Sequence, residues 1–237
     1  MSDNNIVIIV IFVLAGIAFA VYGWYASAKR KQELLAWAAT RRFEFSPEKQ
    51  YGFDSKYPQF YCLQEGDNQY AYNTLEGDWS GRSFLGFDYH YETHTSNSKG
   101  GRSTQHHHFS AVIIKSEVPL NPLFIRPEGF FDKIKEFFGY EDIDFESAEF
   151  SRKFYVQAPD KKWAYDVIHA RMMEFLLASP TFHIKFDWNC VIAYHNSTFS
   201  VNEFESAANV IKGILDRLPD YVAKQQQEAF FGNKGTG

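Results

Sequence analysis

The sequence predicts an α+β protein. One apolar N-terminal helix is long enough to span a bilayer, and a mostly antiparallel β-sheet domain with two long amphipathic helices follows it. Three observations carry this. Residues 6–25, "IVIIVIFVLAGIAFAVYGWY", hold no charged side chain. Aromatic-rich, alternating segments separated by Gly, Asp, Asn and Pro fill the first half of the remainder. Two stretches in the second half repeat apolar residues at spacings of three and four. The expected division is a short tail 1–5, a transmembrane helix 6–25, a juxtamembrane helix 26–44, a globular domain 45–222 and a flexible tail 223–237.

A 20-residue helix spans about 30 Å, the hydrocarbon thickness of a bilayer, and satisfies its backbone amides internally, as lipid requires. Tyr22, Trp24 and Tyr25 stand at its end like an interfacial aromatic belt. A cleaved signal peptide is the competing reading. It needs a basic leader and a shorter apolar run, whereas "MSDNN" has no Lys or Arg. Lys29, Arg30, Lys31, Arg41 and Arg42 follow the span, and the positive-inside rule then places the domain in the cytoplasm and the N-terminus outside, in a cell inner membrane.

The juxtamembrane stretch is helical by propensity, with Leu34, Leu35, Trp37 and Ala38 as an apolar side expected to dock on the domain. Strand-like pieces come next. Residues 42–45 are one, 59–66 and 68–77 read as a hairpin through Gly66-Asp67, and 82–95 with 105–118 read as a longer hairpin. Residues 121–128 are a further extended piece. A helix is expected at 129–138, ended by Gly139. Residues 149–160 read as a strand leading to a helix over 161–179, capped by Asp160 and stopped by Pro180. Residues 181–199 read as two strands turning near 187–189. Asn202 and Glu205 have capping-box spacing before the last helix, which ends at Pro219.

Net charge is −5, with no long block of like charge, which argues against nucleic acid as a partner. Cys62 and Cys190 make no disulfide framework and read as small buried hydrophobes, with one disulfide left open.

Five of the 8 histidines fall in "HYETHTSNSKGGRSTQHHH", residues 90–108. Strand alternation puts Asp88, His90, Glu92 and His94 on one face. Residues four apart on a strand lie about 13 Å apart, so one ion cannot collect all four. It can take Glu92 with His90 or His94 and a cross-strand His106 or His108. The simpler reading is a wet polar hairpin face. At the tip, Lys99, Gly100, Gly101 and Arg102 offer an anion nest or lipid-headgroup contact. His169 reads as a packed helix histidine, and the acidic run of Glu141, Asp142, Asp144 and Glu146 as a solvated loop. Nucleophile-elbow, phosphate-loop, dinucleotide and zincin motifs are absent from the sequence. No cofactor is expected.

Residues 142–177, "DIDFESAEFSRKFYVQAPDKKWAYDVIHARMMEFLL", resemble a stretch of uncharacterised bacterial single-pass membrane-anchored proteins of a domain-of-unknown-function class. Phe150, Phe154, Val156, Asp160, Met173 and Leu176 or Leu177 carry the resemblance. It implies an anchor plus a globular domain and no particular activity. The expectation is a non-enzymatic protein with the lipid bilayer and a protein partner as its contacts. A lipid- or ligand-sensing module using the 99–102 tip and a metal-dependent enzyme using the 90–108 hairpin are the alternatives.

Overall fold

The computed structural model describes residues 3–96, 101–129 and 142–231. It is α+β, with an N-terminal apolar helix and an entirely antiparallel six-stranded sheet.

Helix α1 (Asp3–Arg41) runs unbroken from the apolar stretch into the juxtamembrane segment, and its N-terminal part is long and apolar enough to cross a membrane. Residues 11–25 are exposed, while Leu34, Trp37 and Ala38 are buried in the domain core. Leu35, expected on the same side, is 54% exposed. A helix shows its partner one stripe, and the neighbour of Leu34 in sequence sits about 100° away from it. The helix ends at Arg41 rather than 44, because the chain turns through a left-handed Arg42 into β1 (Glu44–Ser46).

Residues 59–66 do not form a strand. Helix α2 (Phe53–Lys56) and a 3-10 turn (Tyr61–Leu63) occupy this region. Phe53, Tyr57, Phe60 and Leu63 point into an apolar cluster on one sheet face, so this segment is a cover rather than a ladder member. The true hairpin partner of β2 (Asp67–Trp79) is β3 (Arg82–Ser96). They join through Ser80 and Gly81, both at positive φ, the geometry of a primed hairpin turn. Strand β4 (Arg102–Pro127) pairs with β3 as expected. It also absorbs the 121–128 piece, pairing with β5 (Phe154–Gln157) and β6 (His183–Tyr194). Residues 181–199 give this one strand instead of two. Trp188, at φ 54, marks an irregularity where β4 and β6 slip register, and β6 continues through it.

Residues 148–153 form a helix, α3 (Ala148–Lys153), because Ser147 caps it through the Phe150 amide. The single long helix expected over 161–179 is two, α4 (Lys161–Val167) and α5 (Ala170–Ala178). Asp160 caps α4 as read. His169 interrupts the helix and caps α5, its Nδ1 accepting from the Met172 amide while Nε2 meets the Arg217 carbonyl. The capping box of α6 (Val201–Leu215) is Ser200 with Glu203, two residues earlier than expected. Where a loose tail was expected after residue 222, helix α7 (Asp220–Phe231) buries Val222 and Gln226. The expected helix over 129–138 falls almost entirely, and Glu141 wholly, outside the described residues.

Both sheet faces are covered. The larger cluster packs α1, α3–α6 and Val222 of α7 on one face, and the smaller one packs residues 53–63 on the other. Gly86 of β3 lets the Phe204 ring close in. A Cβ there would stand 3.2 Å from that ring and 3.0 Å from Phe84. Cys62 and Cys190 are buried and form no disulfide. Burial pushes the Cys190 thiol pKa up.

Candidate functional site

The polar residues of β3 fall on the face read from alternation, and opposite them stand Ser110, His108, His106 and Thr104 of β4. The base of this column is not wet. Asp88 is fully buried and His90 is 3% exposed.

Asp88 is the anchor point of α1. The Arg30 guanidinium grips its carboxylate with two nitrogens, at 2.6 and 2.8 Å, and donates its Nε to the Phe199 carbonyl at 2.7 Å. Ser110 donates its hydroxyl to Asp88 and accepts the Phe199 amide. Asn73 donates its side-chain amide to the same carboxylate at 2.8 Å. Burial works against the Arg30 charge, but the hydrogen bond and charge of Asp88 prevail and its pKa is raised. A second clasp lies further along α1. The Trp37 indole N–H and Arg41 both donate to Glu205 of α6, at 2.8 and 2.6 Å.

One layer above Asp88, three side chains converge. The His90 Nε2 and His106 Nδ1 are 3.2 Å apart. Glu92 Oε1 stands 3.4 Å from His106 Nδ1 and 3.9 Å from His90 Nε2. The convergence follows from the ladder: His90 and Glu92 share a face two residues apart, and His106 is the cross-strand partner of Glu92. His90 is buried, stacked on Tyr70 with centroids 4.5 Å apart, while the His106 side chain is 60% exposed. The Asn68 hydrogen bond, with help from the histidines, holds the Glu92 carboxyl below its ordinary pKa.

His108 does not join. Its Nδ1 lies 3.1 Å from the Tyr72 hydroxyl, and burial followed by the charges of His90 and His106 lowers its pKa. His94 turns to Thr104 and Asp67, and His107 faces the other side, stacked on Tyr91. Of the tip residues, Arg102 opens β4 opposite Ser96 and Gly101 is exposed, while Lys99 and Gly100 lie outside the described residues. Asp142 of the acidic run accepts the Val156 amide at 3.0 Å, and burial raises its pKa.

Sequence reasoning missed Asn68 and Asn73 altogether. Strand β2 slips register between Asp67 and Tyr70 and again between Tyr72 and Leu75. Each slip contains an Asn in the left-handed region, Asn68 at φ 51 and Asn73 at φ 49. Each Asn then reaches a carboxylate on β3, Glu92 and Asp88 respectively. The available signal was two asparagines inside a strand pattern, where they are disfavoured unless a bulge needs them.

No protein-family model matches the chain. No curated protein matches it either. Among solved structures, the crystal structure of the mycobacterial trehalose monomycolate transport factor A is similar in fold. The TM-score is 0.59 at 11% identity, over 79% of this chain and 93% of that one. At that identity the likeness speaks for the fold.

Proposed function

We propose that this chain is a single-pass membrane protein whose domain, held on the cytoplasmic side, docks a protein partner in membrane transport or in assembly of a membrane complex. The observation that carries this reading is the Arg30–Asp88 clasp. Arg30 lies five residues past Tyr25 on one unbroken helix, which is about 7.5 Å of rise. A bidentate ion pair to a fully buried carboxylate at that distance fixes the height and rotation of the domain relative to the span. A subunit that must mate with another membrane protein gains from fixed orientation, since docking then loses less rotational freedom. The resemblance to bacterial membrane-anchored proteins and the fold shared with a transport factor support the same reading. The cargo of that factor is not carried over.

The test uses the full chain in its native membrane. It should resist carbonate extraction, and a photo-crosslinker at exposed Leu35 should return one consistent partner. Inserting one residue between Tyr25 and Arg30 turns the domain by about 100° relative to the span. That crosslink should vanish while the domain stays folded. Release by carbonate, recovery of the chain alone, or crosslinking indifferent to the insertion defeats the proposal.

A further inference from the structure

The structure assigns a second property to the hairpin: we propose that His90, Glu92 and His106 bind one divalent transition cation of the zinc type, with an open coordination position facing solvent.

Zinc bonds to His nitrogen and carboxylate oxygen are about 2.0–2.2 Å, and at tetrahedral angles the ligand atoms then stand about 3.3–3.5 Å apart. The three atoms are separated by 3.2, 3.4 and 3.9 Å. A few tenths of an ångström of carboxylate rotation closes the longest edge.

The His90 Nδ1 lies 3.1 Å from the Asn68 carbonyl, which only accepts. The hydrogen-bond network therefore assigns the proton of a neutral His90 to Nδ1 and leaves a lone pair on Nε2. Glu92 offers only lone pairs as a carboxylate. The His106 Nδ1 supplies at most one proton to these two acceptors. With both histidines neutral, three ligand atoms thus converge on a point with one proton between them, besides the Asn68 N–H that Glu92 accepts from outside it, and a cation satisfies all three.

Metal-bound histidines characteristically donate their other N–H to a carbonyl or carboxylate, and the ligating carboxylates are themselves hydrogen-bonded. Asn68 does both: its carbonyl takes the His90 Nδ1–H, and its side-chain amide donates to Glu92 Oε1 at 2.6 Å. It achieves this from a left-handed backbone at a bulge, the kind of local strain that accompanies binding sites. Tyr70 stacks on His90 and holds the ring plane. Two histidines and one carboxylate with an exposed fourth side match a site that keeps water or a partner's ligand on the metal. This inference stands independently of the docking role.

The test is a titration of tag-free, metal-stripped full chain in detergent with Zn2+ against a competing chromophoric chelator, and with Co2+ read by its tetrahedral visible absorption. One equivalent should bind, and Co2+ should give the intense four-coordinate spectrum. His106→Ala and Glu92→Gln should each weaken binding at least 100-fold, and Asn68→Ala should weaken it about 10–100-fold. His108→Ala and His94→Ala should leave it unchanged. His106 is mostly exposed, so its variant keeps the fold, which circular dichroism checks. Absence of stoichiometric binding, or affinity undiminished in His106→Ala and Glu92→Gln, overturns the assignment.

Discussion

Replacing Arg30 with Met tests the junction between helix and domain most directly. Asp88 accepts from two Arg30 nitrogens, the Ser110 hydroxyl and the Asn73 amide, and its side chain is 0% exposed. Removing one partner of a buried ion pair costs about 3–5 kcal/mol, because the remaining charge is left without compensation or must take a proton. Arg30 retains 23% exposure, and two donors stay on Asp88, so the lower end, about 3 kcal/mol, applies. For a chain of this size that corresponds to a fall in Tm of about 6–12 °C. The assay is a tryptophan-fluorescence melt of the full chain in detergent micelles. Adding Asp88→Asn to Arg30→Met removes the stranded charge and should recover much of the loss. Lys29→Ala, which breaks an exposed pair with Glu33, should cost about 0.5 kcal/mol or less. If Arg30→Met melts with the parent protein, or the double variant is as unstable as the sum of its parts, the clasp does not hold the helix as argued.

Three further outcomes are expected. Gly213 of α6 faces the Phe175 ring so closely that any Cβ must displace it. Gly213→Ala should therefore destabilise by about 1–3 kcal/mol through overpacking, read as a lower urea midpoint at unchanged slope. Ser200→Ala removes one half of the α6 capping box and should cost about 1 kcal/mol by the same measurement. Glu205 is held below the ordinary glutamate pKa, first by Arg41 and then by the Trp37 indole, with burial opposing. Its contribution is fully present above the unfolded glutamate pKa and is lost as pH falls through the lower folded value. Glu205→Gln should accordingly flatten the acid-side fall in stability, by about 1 kcal/mol or less given its exposure, and a variant with an unaltered acid limb would contradict this.

Where the sequence reading succeeded, the signal was local. The apolar stretch, the apolar stripe of α6, the Asp160 cap and the 82–118 hairpin all announce themselves within a window of a few turns or strands. It failed where a tertiary contact overrode local preference. Residues 59–63, with Phe60 and Tyr61 among them, look like a strand but serve as a cover, because Phe60 and Leu63 find a sheet face to pack on. His169 breaks a well-patterned helix because its ring caps the second half and reaches Arg217. Residues 187–189 look like a turn, yet β6 runs through them, since β4 is long enough to slip register and keep pairing.

The candidate site divides the same way. Alternation placed His90, Glu92 and the β4 histidines on one face. That His106 and not His108 meets Glu92 lay beyond sequence reading, because it depends on the exact β3–β4 register, which sets His106 opposite Glu92, and on a Tyr72 hydroxyl from the neighbouring strand that engages His108.

By itself the sequence determined the apolar helix, the antiparallel α+β class and the faces of the long hairpin, since each rests on periodicity along the chain. Only the tertiary structure decided that Arg30, separated from Asp88 by 58 residues, locks the helix to the domain, and that Asn68 hydrogen-bonds both His90 and Glu92. Those features arise from chain segments brought together by burial and bulges, and the free energy of such long-range contacts leaves no repeating trace in the local pattern.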